Sequence, residues 1–152
     1  MATTAGDGVA VTQQFIWDNA VALMTSVGVH TFPDPRPTSQ VDDDGLVYLL
    51  GWRCAECAHP VALPAPWCPR CRGELAPDKF GPRGVVWSST VLRVALPGRT
   101  PPYGLAYVDL TDGPRVLGHY TAEPLVRLPV GTTVELTTPT DFGDVAVRVR
   151  AD

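Results

Sequence analysis

The spacing of apolar positions changes twice along this chain. Residues 1–11 are small and polar with no period and read as a tail. From Thr12 the apolar positions fall at helical spacing: Phe15, Ile16, Val21, Leu23, Met24 and Val27 form one broad stripe, with Trp17 and Ala20 beside it. Thr12 can cap the start and Gly28 can end it, which predicts an amphipathic helix over 12–28. Residues 29–45 hold three prolines and the run Asp42, Asp43 and Asp44, and read as an irregular linker ending in a solvated turn. Residues 46–52 are an apolar run of strand length. After Gly84 the period becomes two. GVVWSSTVLRVAL predicts a long bent strand, YGLAYVDL a second, and RVLGHY a third behind the Asp112-Gly113 turn. Residues 132–138 give a fourth strand. Val145, Val147 and Val149 alternate with Ala146, Arg148 and Arg150 in a fifth. Five strands in about 70 residues bury their edges by closing into a small barrel. The connection TAEPLVRLPVG, between the third and fourth strands, predicts one helical turn.

Composition narrows the class. The chain has 152 residues, 45% of them apolar and 18% charged, so one domain and a small appendage fit. Gly and Pro, at 14 and 16, are too many for a helix bundle. The expected division is a tail, helix and linker over 1–45, a metal-held segment over 46–80 and a barrel over 81–152. No apolar run approaches the ~20 residues of a membrane span, and no secretory leader is visible. The cytoplasm is therefore the expected compartment, where thiols stay reduced. Net charge is −5 over residues 1–50, +1 over 51–80 and 0 over 81–152. No segment is a basic patch, which disfavours nucleic acid, since its affinity is largely phosphate neutralisation.

The cysteines carry the strongest chemical signal. Cys54 and Cys57 form one CxxC pair, and Cys68 and Cys71 form a second after ten intervening residues. Two residues between cysteines let a tight turn aim both sulfurs at one ion. Two such knuckles complete a tetrahedron of thiolates about 2.3 Å from Zn²⁺. The surrounding text is rich in Pro and Gly and cannot build a core, so a metal must hold it. A rubredoxin-type iron site and a pair of disulfides are the alternatives. Four thiolates leave no position for water or substrate, so the expected Zn²⁺ is structural.

Other chemistry is sparse. GxSxG, GxGxxG and Walker loops are absent. His59 sits in the first knuckle, His30 in the linker and His119 at a strand end, none beside a nucleophile. Trp52, Trp67 and Trp87 read as core or ribbon-packing residues. The connection LPGRTPPY joins the first two barrel strands, where small Greek-key barrels of the OB type bind ligands. It offers Arg99 and Tyr103 on a Pro-stiffened loop, and Arg99 can contact a phosphate or an acidic partner surface.

The order of helix, four-cysteine ribbon and barrel, with GVVWSSTVLRV, PPYGLAYVDLTDGPRVLG and VGTTVEL in the barrel, resembles the DUF35 family of zinc-ribbon and OB-fold proteins, also called acyl-CoA-associated. The resemblance covers about residues 46–150 and implies a mainly β fold: an N-terminal helix, a rubredoxin-like zinc ribbon and a C-terminal five-stranded OB-fold barrel. It implies Cys54, Cys57, Cys68 and Cys71 as the metal set. It further implies a non-catalytic subunit that binds a thiolase-like acyl-CoA enzyme, such as a thiolase, aldolase or acyltransferase, in lipid, steroid or polyketide metabolism. A CoA thioester can then lie at the interface, near Arg99 and Tyr103. The second reading is a nucleic-acid-binding ribbon and OB protein. The third is a stand-alone enzyme, for which no nucleophile and base are visible.

Overall fold

Strands dominate residues 36–96 and 99–150, which a computed structural model describes. The tail and helix expected at 1–28 lie outside the described residues. Strands β1 (Thr38–Val41), β2 (Val47–Cys54), β3 (Pro60–Val61) and β4 (Leu75–Phe80) form one antiparallel sheet around β2. β4 runs along one edge of β2, from Leu49 opposite Phe80 to Cys54 opposite Leu75. β1 and β3 share the other edge, β1 against Val47 to Leu50 and β3 against Trp52 and Arg53. Alternation decides the faces: Val47, Leu49 and Gly51 are buried, while Tyr48, Leu50 and Trp52 on the opposite face are half-buried.

β1 corrects the expectation of an irregular linker over 29–45. An edge strand pairs on one side only, so prolines just before it do no harm. Four residues are also too few to show a period of two. The acidic run is the solvated turn it was expected to be. The Asp42 carboxylate accepts from the amides of Asp44 (3.1 Å) and Leu46 (3.0 Å), and Gly45 takes φ +77°.

The second half is a closed five-stranded barrel of β5 (Arg83–Leu92), β6 (Tyr103–Leu110), β7 (Arg115–Tyr120), β8 (Thr133–Thr137) and β9 (Ala146–Val149). Its order is β5-β6-β7-β9-β8, with β8 returning to β5 and β7 parallel to β9. β5 bends at a bulge between Val86 and Ser88, which leaves Trp87 without an opposite residue. The bulge changes the parity of the strand. Gly84 and Val86 point inward before it, and Ser89 lies opposite inward Ala106 after it. Trp87 is therefore half-exposed on the outside, and Trp67 is 55% exposed in the ribbon. Trp87 corrects the expectation of a core or ribbon-packing residue.

The third connection holds no helical turn, which corrects a further expectation. Pro124 and Pro129 lack amide protons, and barrel side chains claim its carbonyls instead. Tyr120 Oη donates to Val126 O (2.8 Å) and Ser89 Oγ donates to Leu128 O (2.8 Å). The Tyr120 ring lies over Gly104, where an added Cβ would come within 2.5 Å of it, so only glycine fits there.

Both sheets feed one core. Val47, Leu49 and Phe80 belong to the same buried cluster as Val86, Val108, Val116, Val134, Leu136 and Val147. Phe80 ends β4, fits between Gly51 and Gly113, and is 1% exposed. Asp34–Asp152 is accordingly one compact unit.

Candidate metal centre and barrel mouth

The two knuckles repeat one hydrogen-bond pattern. In the first, Ala58 N donates to Cys54 O (3.0 Å) and Cys54 N donates to His59 O (3.0 Å). In the second, Arg72 N donates to Cys68 O (2.8 Å) and Cys68 N donates to Gly73 O (2.9 Å). The residue four places after the leading cysteine turns left-handed in each, Ala58 at φ 56° and Arg72 at φ 64°. Amides of the second knuckle also face sulfur, with Arg70 N donating to Cys68 Sγ and Gly73 N to Cys71 Sγ, both at 3.4 Å.

These turns bring the four sulfurs together. Cys54 and Cys71 Sγ lie 3.4 Å apart, Cys57 and Cys68 Sγ 3.7 Å, and all four fall within 4.8 Å of one another. Sulfurs about 2.3 Å from a tetrahedral ion stand roughly 3.8 Å apart, so the set fits a four-coordinate metal. All four cysteines are free, with spacings far beyond the ~2.05 Å of a disulfide. His59 is not part of the cluster.

The electrostatics agree with a cation site. Burial resists a thiolate at Cys68, but amides of Cys71 and Arg70 and the neighbouring thiols outweigh it and bring its pKa down to about 7. At Cys71 the Gly73 amide favours the thiolate, yet the adjoining sulfurs of Cys54 and Cys57 prevail and push it up to about 12. Four thiolates at this spacing repel, and a bound cation removes that penalty.

Arg53 ties this centre to the barrel. Its Nε donates to Asp78 Oδ2 (2.6 Å), one terminal nitrogen to Ala58 O in the first knuckle (3.2 Å) and the other to Asp112 O in the β6–β7 turn (2.7 Å). Its guanidinium also lies 5.1 Å from the centre of the Phe80 ring.

At the barrel mouth, Arg99 and Tyr103 line a cavity of about 210 Å³ with Thr100, His119, Thr140, Asp141 and Phe142. Arg99 donates to the Asp144 carboxylate and, at 3.1 Å, to His119 Nε2. His119 Nε2 must then be an acceptor, which makes the ring neutral with its proton on Nδ1. Burial first, and the Arg99 charge second, hold His119 below its ordinary pKa against the pull of Asp144. Burial alone would raise Asp144, but the hydrogen bond and charge of Arg99 prevail and hold it below the usual carboxylate range. Arg36 also reaches Asp144, at 3.7 Å, and Arg99 covers the Phe142 ring. Tyr103 stacks on His119 at 5.9 Å, and its buried hydroxyl has no hydrogen-bond partner among the described residues.

The sequence brought forward Arg99 and Tyr103 but not His119, Asp144, Thr140 or Arg36. Twenty and 45 residues separate Arg99 from His119 and Asp144, so no local spacing joins them.

The described residues thus define a class: a four-cysteine ribbon fused through one core to an OB-type barrel. Comparison with known proteins agrees. The family model for the C-terminal OB-fold domain of ChsH2 matches residues 79–138. The benzoylsuccinyl-CoA thiolase subunit BbsA of Geobacter metallireducens is 32% identical over 96 residues, which cover 61% of this chain and 64% of that subunit. The match therefore spans under two thirds of the relative's length. A chain of the Ltp2-ChsH2(DUF35) aldolase superposes with a TM-score of 0.55 at 27% identity, covering 67% of this chain and 84% of the other. Residues 79–138 thus carry an OB-fold domain of the ChsH2 type, and the likeness of the chain is to proteins of the DUF35 family. Among the described residues no helix is long and apolar enough to cross a membrane.

Proposed function

We propose that this chain is a non-catalytic subunit that binds and supports a thiolase-like acyl-CoA enzyme, a thiolase, aldolase or acyltransferase. The observation that carries this reading is its likeness to two proteins that are themselves parts of such enzymes, a thiolase subunit and a chain of an aldolase. The chemistry of the chain supports it. The sulfur cluster uses all four cysteines of the sequence, and a metal with four thiolates has no position left for substrate.

In this reading Cys54, Cys57, Cys68 and Cys71 hold one structural Zn²⁺, which supplies a rigid crosslink and no reaction step. The ribbon occupies residues 46–80 and the barrel 81–152, joined by Phe80 and Arg53, with the segment 1–45 before them. A reduced four-thiol site belongs in the cytoplasm. Arg99 and Tyr103 are the mouth residues placed to meet the partner or its CoA thioester.

Co-expression with a thiolase-like subunit from the same genome tests the proposal. The expected result is co-elution in gel filtration and acyl-CoA activity that neither chain shows alone. A thiolase-like subunit that is fully active by itself and never co-elutes would overturn it. So would turnover by the isolated chain that a point mutation here abolishes.

A further inference from the structure

The outer face of β5, β6 and β7 carries large side chains that the closed barrel does not need. Val85, Trp87, Tyr107 and Leu117 are 44%, 50%, 45% and 45% exposed. Register makes them neighbours. Val85 is opposite Asp109, which is opposite Arg115, and Ser88 beside Trp87 is opposite Tyr107, which is opposite Leu117. Trp87 and Tyr107 meet edge to face at 6.2 Å. Arg115 lies 4.0 Å over the Trp87 ring while binding Asp109 through two hydrogen bonds of 2.6 and 2.9 Å. The indole is thus held outward by a bulge beneath it and a guanidinium above it, in a fixed pose before any partner arrives.

We propose that this face docks the thiolase-like subunit, with Trp87, Tyr107 and Leu117 seated in an apolar pocket of that protein. The inference rests on the proposed function and adds where contact is made. Charge selects the occupant. Asp109 and Arg115 neutralise each other, so the face has no net charge to offer a phosphate backbone, and Arg115 already covers one face of the indole that a base would stack on. Trp, Tyr and Arg at the centre of a neutral patch are the residues that anchor protein interfaces. Size agrees as well. Four half-exposed side chains offer roughly 300–400 Å², about half of the ~800 Å² that a standard interface takes from one partner. They form a centre to which a polar rim adds the rest.

The test measures binding of the thiolase-like subunit used for co-expression to the full chain and to three variants. The double variant Trp87→Ala/Tyr107→Ala and the single variant Leu117→Glu alter the patch. Val41→Ser alters a residue 50% exposed on β1, in the other sheet. Metal content and far-UV circular dichroism confirm that each is folded. The expected result is at least ~100-fold weaker binding for the double variant, a loss of ~30-fold or more for Leu117→Glu, and no change for Val41→Ser. If the wild type binds and the patch variants bind equally well, the patch is wrong and the proposed function stands. If the wild type does not bind, both fall. If the isolated chain instead self-associates, or captures a fluorescent oligo-dT, and the double variant abolishes that, the occupant is wrong.

Discussion

The ribbon loops and the barrel are held by opposite means. Between Cys54 and Gly73 only Cys54, Cys68 and Gly73 are buried, so the shape of that stretch comes from backbone hydrogen bonds and converging sulfurs. The barrel buries alternate side chains on its strands: Val86, Ala106, Val108, Leu110, Val116, Val134, Leu136 and Val147. The first depends on backbone hydrogen bonds and on donor atoms gathered closely enough for an ion. The second depends on area removed from water. They meet at β2, β4 and Phe80, where one core serves both.

Cys68→Ser is the largest blow to the ribbon side. Zinc bound to small four-ligand domains contributes an apparent ~10–16 kcal/mol, and one missing thiolate forfeits most of it. Elemental analysis should show loss of metal. Hydrogen exchange should accelerate over residues 54–73 while Val86 and Val108 stay protected. If the barrel amides lose protection too, the two regions are a single cooperative unit.

Phe80→Ala attacks the junction. Deleting a fully buried ring costs about 3–5 kcal/mol, and this one is shared by both halves. Urea unfolding followed by Trp fluorescence and by metal release should shift together. Separate shifts would mean that the junction does not couple them.

Arg53→Met keeps an apolar stem over Phe80 and removes three hydrogen bonds to Asp78, Ala58 and Asp112. The Arg53 side chain is 35% exposed, so solvent replaces part of what is lost, and the expected cost is about 1–2 kcal/mol. Faster exchange at Ala58 and at the β6–β7 turn should accompany the lower urea midpoint.

The same contrast explains what was legible. The barrel strands could be read because inward and outward positions alternate, and the sulfur cluster because CxxC spacing is itself the geometry. β1 escaped because four residues beside prolines carry no period. Trp87 misled because hydrophobicity does not say which face a bulge selects. The third connection was read as helical because nothing local announces that Tyr120 and Ser89 take its carbonyls. The mouth cluster of Arg99, His119 and Asp144 comes from three distant segments, and only barrel closure brings them together.

The mouth offers the smallest and most specific effect, a pH dependence confined to the barrel. His119 is held neutral and below its ordinary value, chiefly by burial and then by Arg99. In the unfolded chain the same ring takes a proton near pH 6.5, so below that pH the unfolded state binds more protons than the folded one. Stability from this group is therefore complete above about pH 6.5 and falls as pH drops toward the lower folded value. Protonation also removes the acceptor for Arg99 and sets a second cation 3.1 Å from its guanidinium. Asp144, held low with Arg99 as the main cause opposing burial, acts in a separate window: its contribution is present above about pH 4 and lost as pH falls through its depressed folded value. Titration by NMR should place His119 below 6.5, and the urea midpoint should decline in two acid steps. His119→Gln keeps an acceptor for Arg99 but cannot titrate, so it should erase the upper step and leave the lower. A His119 that titrates at or above 6.5, or an upper step that survives in His119→Gln, would show that burial beside Arg99 does not govern this end of the barrel.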